Sequence, residues 1–248
     1  MITLEDLRSF MPVAEPLFGR LQDLYSRLPE TQCMCKEPGL CCIFLPEMTV
    51  LEAFQWLKLL QAMPEPESTV LLKRFAEFYL TNPARLRGCP FMADGLCTIY
   101  KYRTFGCRSY GLWSQEMGKT RTMENRNGKK ALKEMWKRYG VELPADVVEF
   151  EMDYCSKVQI QSPEPLSDEG IMELLKRVYD LGRPLGDLQT RFEEEYHSDF
   201  SFLVTSFALG MKKTVLLKYA VIKEIVNTAT ETSLQDALKK VSAPLLRF

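Results

Sequence analysis

Four cysteines lie within ten positions near the start of the chain, and they constrain its fold more than any other feature. They are Cys33, Cys35, Cys41 and Cys42, in the segment TQCMCKEPGLCCIF. The chain has eight cysteines in all, and the others are Cys89, Cys97, Cys107 and Cys155. A buried free cysteine behaves as a small apolar residue, which does not explain such clustering. The clustered thiols therefore indicate either disulfides or a bound metal.

The size of the chain and its N-terminus argue against disulfides. With 248 residues, it can bury roughly 70–75% of its unfolded surface and needs no covalent cross-links. Glu5 and Asp6 occupy the region that is basic in a signal peptide, and no continuous apolar stretch follows. The most apolar segment, residues 200–226, is interrupted by lysines and predicts a core helix, not a membrane span. We therefore predict a cytoplasmic protein without a membrane partner, whose reduced thiols bind metal.

Charge and motif content exclude several classes of function. The net charge is −1 and the pI is about 6.1, so no general basic excess predicts a nucleic-acid partner. The chain contains no GxGxxG, P-loop or GxSxG motif, and its single histidine, His197, follows an acidic run that predicts solvent exposure. No residue pattern decides whether the chain is an enzyme, and no catalytic residue is assigned.

Helical periodicity dominates outside the cysteine segments. It predicts a mainly α fold, with irregular cysteine-rich metal-binding loops and at most a short strand pair. Capping-box patterns occur at Thr3 with Asp6, Thr49 with Glu52, and Ser233 with Asp236. Apolar spacing predicts helices over residues 17–28, 50–61, 70–80, 131–139, 171–181, 187–196, 200–228 and 233–241.

Two segments depart from this pattern. Asp94–Gly95 is a turn signal, and residues 96–100 after it predict a short strand. The polar, basic residues 118–130 predict an exposed loop, with Gly140 ending the helix that follows. We predict a cysteine-bearing metal-binding region over residues 1–160 and a helical region over residues 161–248, packed as one structural unit.

The residues alone leave the metal open. Thiolates favour zinc, iron–sulfur clusters or copper(I), and eight of them allow two four-cysteine centres or one centre with spare thiols. Side chains of adjacent residues on an extended backbone point to opposite faces. Cys41 and Cys42 are therefore candidates to serve two neighbouring centres, or one of them to bind metal while the other packs. The spacings match neither the paired cysteines of zinc ribbons nor the ferredoxin run.

Three segments in order carry a more specific signal: C-x-C-x5-C-C, then LPEMTVLEA, then CPFMADGLCTIYKYRTFGCRSYG. They resemble the CxxCxxCC (YkgJ-like) cysteine-cluster family, a zinc- or iron-chelating domain, over roughly residues 33–113 plus Cys155. The matching positions in the third segment are Cys89, Gly95, Cys97, Ile99, Tyr100, Arg103, Cys107, Arg108 and Tyr110. The chain departs from the family pattern at Cys33-x-Cys35 and at Thr104, where the family has proline.

The resemblance implies bound iron or zinc, and a [4Fe–4S] cluster in particular, with a redox or modification-related role and an unknown protein or redox partner. The predicted ligand pool contains all eight cysteines: Cys33, Cys35, Cys41, Cys42, Cys89, Cys97, Cys107 and Cys155. Arg103 and Arg108 are expected to offset the negative charge of a thiolate-bound centre, and Tyr100 and Tyr110 to shield it. The alternative is a structural Zn²⁺ site in an interaction module.

Overall fold

The computed structural model describes residues 1–34, 40–151, 155, 157–161 and 166–242. Over these ranges the protein is mainly α-helical, as predicted, with two short pairs of antiparallel strands. The helices are α1 Leu4–Ala14, α2 Leu17–Tyr25, α3 Val50–Ala62, α4 Glu65–Thr81, α5 Phe105–Ser109, α6 Gln115–Arg138, α7 Ala145–Val148, α8 Asp168–Leu181, α9 Leu188–Tyr196, α10 Phe200–Leu209, α11 Met211–Thr228 and α12 Thr232–Leu238. The strands are β1 Thr31–Cys33, β2 Met92–Ala93, β3 Leu96–Cys97 and β4 Val158–Ile160. Short 3₁₀ helices occupy Leu40–Ile43, Tyr100–Tyr102 and Arg183–Leu185.

Capping boxes begin α1 and α3, as predicted. The Thr3 side chain accepts a hydrogen bond from the backbone N–H of Asp6, and the Asp6 carboxylate accepts one from the backbone N–H of Thr3. Thr49 and Glu52 form the same reciprocal pair at the start of α3. Each box satisfies two backbone donors that a helix start leaves without partners.

The predicted capping box at Ser233 is wrong. The backbone N–H groups of Thr232 and Ser233 donate instead to the carboxylate of Glu224, over 2.7 and 2.9 Å. Asp236 accepts a hydrogen bond from Lys239. Because Glu224 lies on α11, a side chain from the preceding helix caps α12.

The predicted loop over residues 118–130 is also wrong, because these residues form the first half of α6. The Ser114 side chain caps the helix by accepting from the backbone N–H of Met117, and Gly140, with φ +75°, follows its end as predicted. Lys, Arg, Glu and Met favour helix intrinsically, so the segment is helical without an apolar face of its own.

Gly210 divides the predicted helix 200–228 into α10 and α11, which meet at 107°. Its φ of +83° and ψ of 132° form a conformation that side-chain-bearing residues rarely adopt. Apolar residues on both sides concealed the break in the periodicity. Among the described residues, no single helix has the length and apolar character to cross a membrane. The bent pair of α10 and α11, taken together, has the necessary length and composition.

The two strand pairs organise the cysteine segments. Asp94 and Gly95, with φ of 51° and 76°, connect β2 to β3 in the predicted turn. The predicted strand over residues 96–100 is shorter, since β3 ends at Cys97. The second pair was not predicted: β1 lies antiparallel to β4, which brings Cys33 opposite Val158.

Four aromatic rings form a closed cycle of edge-to-face contacts in the core. Trp56, Phe91, Phe75 and Phe200 are neighbours in that order, with centroid distances of 4.9, 5.1, 5.1 and 5.2 Å around the cycle. All four rings are buried in one hydrophobic core. Phe91 belongs to the cysteine-bearing region and Phe200 to the helical region, so the two regions share this core. The boundary near residue 160 stays a prediction.

Removal of one ring of this cycle should destabilise the whole chain. We expect Phe200→Ala to lower the free energy of unfolding by about 3–5 kcal/mol, because it leaves a cavity among the other rings. Urea denaturation followed by circular dichroism measures the change. As a control, Leu216→Ala, at a side chain that is 62% exposed, should change stability by less than about 0.5 kcal/mol. Equal effects of the two substitutions would contradict a central role for the cycle.

Candidate functional site

Two backbone contacts bring three cysteines from separate segments together. The carbonyl of Cys42 accepts a hydrogen bond from the backbone N–H of Cys89 over 2.6 Å. The carbonyl of Cys89 accepts from the N–H of Met92 over 2.9 Å, and Met92 is paired with Cys97 across the β2–β3 hairpin. The 3₁₀ helix that contains Cys42 is therefore fixed against the hairpin that carries Cys97.

Cys107 reaches the same place on the short helix α5. The hydroxyl of Thr104, the N-cap residue of α5, donates a long hydrogen bond of 3.5 Å to the Cys107 sulfur. A Cβ atom at Gly106 would lie 2.7 Å from Cβ of Pro46, so glycine allows α5 to approach the segment after the first cysteine cluster. The departure from the family's proline at Thr104 thus supplies a donor to sulfur, which the sequence analysis did not identify.

The charges of these thiols affect one another's pKa values. Burial raises the pKa of Cys89 to about 12, and the nearby Cys107 and Cys97 thiols contribute in the same direction. Burial also raises the pKa of Cys107, with Cys97 again adding to the rise. The pKa of Cys42 is raised by its hydrogen bond to Cys41, by burial, and by the charges of Cys41, Cys89 and Cys107. Ionised together, these thiols would repel one another, and a bound cation would remove that repulsion.

Cys41 is exposed, whereas Cys42, Cys89 and Cys107 are partly buried. The hydrogen bond from the Cys42 thiol, against the opposing effect of burial, lowers the pKa of Cys41 to about 6, and the charge of Arg103 helps. The two cysteines lie in a 3₁₀ helix and not on an extended backbone. The expectation that their sulfurs point to opposite faces is therefore wrong.

Cys33 and Cys155 lie at a second position, beside the end of α5. Gly111, two residues beyond α5, has a φ of +84°; a Cβ atom there would lie 2.6 Å from Val158 Cγ2 and 3.6 Å from Cys155 Cβ. Since Val158 is the strand partner of Cys33, the same close approach places both cysteines near Gly111. The remaining predicted ligand, Cys35, lies outside the described residues.

Arg103 supplies a positive charge that acts on two of the cysteines. Its charge lowers the pKa of both Cys41 and Cys107, although for Cys107 burial outweighs it. The guanidinium carbon lies 3.6 Å from the centroid of the exposed Tyr100 ring, so the aromatic face fixes the arginine over the site. The role of Arg103 in offsetting the charge of a bound centre stays a prediction.

Arg108 hydrogen-bonds to the backbone around Arg103. It donates to the carbonyl oxygens of Arg103 and Lys101, over 2.9 and 2.5 Å, and its guanidinium carbon lies 4.8 Å from the Tyr25 ring centroid. Tyr110, the other predicted shielding residue, is half-buried just after α5.

Glu52 determines where α5 begins. Glu52 is buried, with 2% of its surface exposed to solvent. One carboxylate oxygen accepts from the backbone N–H and the hydroxyl of Thr49, over 2.8 and 2.9 Å. The other accepts from the Tyr25 hydroxyl over 2.5 Å and from the backbone N–H of Phe105, the first residue of α5, over 2.6 Å. The capping-box pattern identified the first role of Glu52, but no sequence pattern marks the second.

No family model, curated protein or solved structure matches the chain. The resemblance to the cysteine-cluster family stays a prediction. Within the described part of the chain, no group of three or more His, Cys, Asp and Glu side chains has the arrangement that would hold a metal ion. His197 is exposed at the end of α9, as predicted.

Substitution of Glu52 should loosen the attachment of α5. Glu52→Gln replaces one acceptor oxygen by an NH₂ group. In either orientation of the amide this group faces hydrogen-bond donors, those of Thr49 or those of Tyr25 and Phe105. We expect the free energy of unfolding to fall by about 1–3 kcal/mol, because a buried donor loses its partner. Chemical denaturation measures the change. Glu15→Gln, which removes an exposed ion pair with Lys58, is the control and should cost less than about 1 kcal/mol. An E52Q variant as stable as the control would contradict the role of Glu52.

The thiol of Cys41 should react as a thiolate at neutral pH in the reduced, metal-free protein. We expect its alkylation by iodoacetamide to be half-maximal near pH 6 and to slow below that pH, because protonation removes the nucleophile. Peptide mapping by mass spectrometry gives the rate at each pH. In C42A the midpoint should rise toward the ordinary cysteine pKa of about 8.5, since the hydrogen bond to Cys41 is lost. The same midpoint in both proteins would rule out that cause.

Proposed function

We propose that the chain is a cytoplasmic iron–sulfur protein, in which Cys42, Cys89, Cys97 and Cys107 bind one [4Fe–4S] cluster. The observation that carries this proposal is the placement of four thiols from three segments within range of one another's charges. The described arrangement of these thiols does not itself hold a metal ion, so cluster binding would draw the four sulfurs closer together. Four cysteine thiolates are the usual ligands of such a cluster. The resemblance to the cysteine-cluster family supports the same cofactor.

Hydrogen bonds to the sulfurs fit this ligand set. The backbone at Phe91 hydrogen-bonds the Cys89 thiol and favours its ionised form, against the larger effect of burial. The Thr104 hydroxyl donates to the Cys107 sulfur. Donors of this kind stabilise coordinated thiolates and influence the reduction potential of a cluster. Arg103 supplies a positive charge beside the same sulfurs.

A bound cluster would supply one-electron transfer, which is the basis of the proposed redox or modification-related role. The protein's own residues determine access to the site. Cys89 and Cys107 are largely withdrawn from solvent, while Cys41 beside them is exposed. The exposed Tyr100 and the half-buried Arg103 cover a further side. Electrons would therefore enter and leave through the surface around Cys41.

Metal and sulfide analysis of anaerobically purified protein tests the proposal. We expect about four iron and four acid-labile sulfide per chain, with the broad visible absorption of a [4Fe–4S] cluster that bleaches on reduction. A colourless protein that holds zinc without sulfide would overturn the redox proposal and would favour the structural zinc alternative. In that case the protein would be treated as an interaction module.

Single cysteine substitutions test the ligand assignment. We expect Cys→Ser at position 42, 89, 97 or 107 to abolish or strongly reduce iron and the visible absorption, because each removes one ligand. The matched controls are Cys33→Ser and Cys155→Ser, at the second position near Gly111. These variants should retain the cluster. If the controls lose iron as completely as the four site variants do, the four-cysteine assignment is wrong.

A further inference from the structure

Helix α6 carries a long stripe of positive charge. Its 24 residues include eight Lys or Arg and three Glu, a net charge of +5 in a chain whose net charge is −1. The cationic stripe is defined by five residues that recur, together with Met123, every three or four positions and so lie along one face of the helix. They are Lys119, Arg126, Lys130, Lys133 and Lys137.

Most of this charge is not neutralised within the protein. Arg126 forms a two-bond contact with Glu151, at 2.6 and 2.7 Å, and Lys133 lies 3.9 Å from Glu149. Lys119, Lys130 and Lys137 have no acidic partner among the residues that the structure describes, and all three are exposed. Of the described α6 side chains, only Trp136 is fully buried, so the outer side of the helix faces solvent.

Exposed apolar side chains lie next to the cysteines in sequence. Leu96, which precedes Cys97, is 68% exposed, and Tyr100, beside Arg103, is 56% exposed. We call the exposed apolar residues beside the four-thiol site in sequence the apolar rim. Its members are Phe44, Leu96, Tyr100 and Tyr102.

Phe44 joins the apolar rim to α6. It follows Cys42 by two residues, and its ring centroid lies 6.1 Å from that of Phe150 and 5.4 Å from Lys129 Nζ. Lys129 also donates to the Phe150 carbonyl. The thiol site is therefore bordered by α6 at Phe44 and by Arg103 with Tyr100 on another side.

We propose that the apolar rim and the cationic stripe together dock an acidic protein, specifically an acidic electron carrier, over the thiol site. Large apolar side chains exposed beside a site are typical of protein interfaces, and a bordering charge of one sign guides a partner of the opposite sign. The electron-carrier identity rests on the proposed cluster, whereas the docking of an acidic surface does not.

A nucleic acid fits this surface less well. An exposed aliphatic side chain such as Leu96 has no counterpart in a phosphate backbone, which is bound chiefly by cations and polar groups. Glu116, Glu124 and Glu134 also interrupt the positive charge of α6. The observations therefore favour a protein that has both acidic and apolar groups on its docking face.

Calorimetric titration with an acidic plant-type ferredoxin tests the proposal. At low ionic strength we expect association that weakens about tenfold or more at 0.2 M salt, because screening weakens attraction between surface charges. K119E/K130E should weaken binding about tenfold at low salt. The matched control K212E/K213E changes the same charge at exposed positions on α11 and should bind as the wild type does.

The apolar rim is tested separately by Leu96→Ser, which should weaken binding several-fold at all salt concentrations. Absence of association at low salt, or equal weakening by both charge-reversal variants, would overturn the proposal. Tighter binding of a 20-nucleotide single-stranded DNA than of ferredoxin at 0.15 M salt would replace it by a nucleic-acid role. Since calorimetry does not depend on colour, a zinc-bound protein that binds ferredoxin in this way would refute the cluster alone. A cluster-bound protein that does not associate would refute the docking alone.

Discussion

The arrangement of the thiol site depends on the burial of one carboxylate, that of Glu52. An ionisable group in a protein interior is costly unless hydrogen-bond donors surround it. Glu52 receives four hydrogen bonds, from the backbone and hydroxyl of Thr49, from the Tyr25 hydroxyl and from the Phe105 backbone. These donors belong to α2, to the start of α3 and to the start of α5. The three helices are therefore fixed relative to one another, and Cys107 takes its position from Phe105, two residues before it.

A second anchor holds the other end of the site. Phe91 hydrogen-bonds the Cys89 thiol through its backbone, while its ring belongs to the aromatic cycle with Trp56, Phe75 and Phe200. The indole N–H of Trp56 also donates to the Tyr102 carbonyl over 2.8 Å, in the segment between Cys97 and Cys107. The core thus positions Cys89 by apolar packing, and Glu52 positions Cys107 by polar contacts. Both anchors meet on α3, which carries Trp56 and Glu52 one helical turn apart.

The sequence predicted features that depend on local chemistry and missed those that depend on distant partners. The Thr49 capping box and the Asp94–Gly95 turn were correct because neighbouring residues determine them. The β1–β4 pair and the hydrogen bond from Phe105 to Glu52 join residues far apart in the chain, and no spacing reveals such a contact. Polar composition predicts a loop over residues 118–130, but the Lys, Arg, Glu and Met residues of this segment favour helix, and the segment lies within α6. The ligand pool of eight cysteines was predicted from cysteine content and stays a prediction. The placement of Cys42, Cys89, Cys97 and Cys107 at one position, and of Cys33 and Cys155 at another, required the tertiary structure.

Both anchors consist of protein atoms, so the scaffold of the site does not need a metal to define it. In this respect the site differs from a zinc finger, where the metal supplies most of the folding free energy. Raised pKa values keep Cys42, Cys89 and Cys107 protonated near neutral pH, so the proposed cluster would have to displace their protons on binding. Cys41 is the exception, because its lowered pKa leaves a thiolate at the surface, within reach of the charge of Arg103.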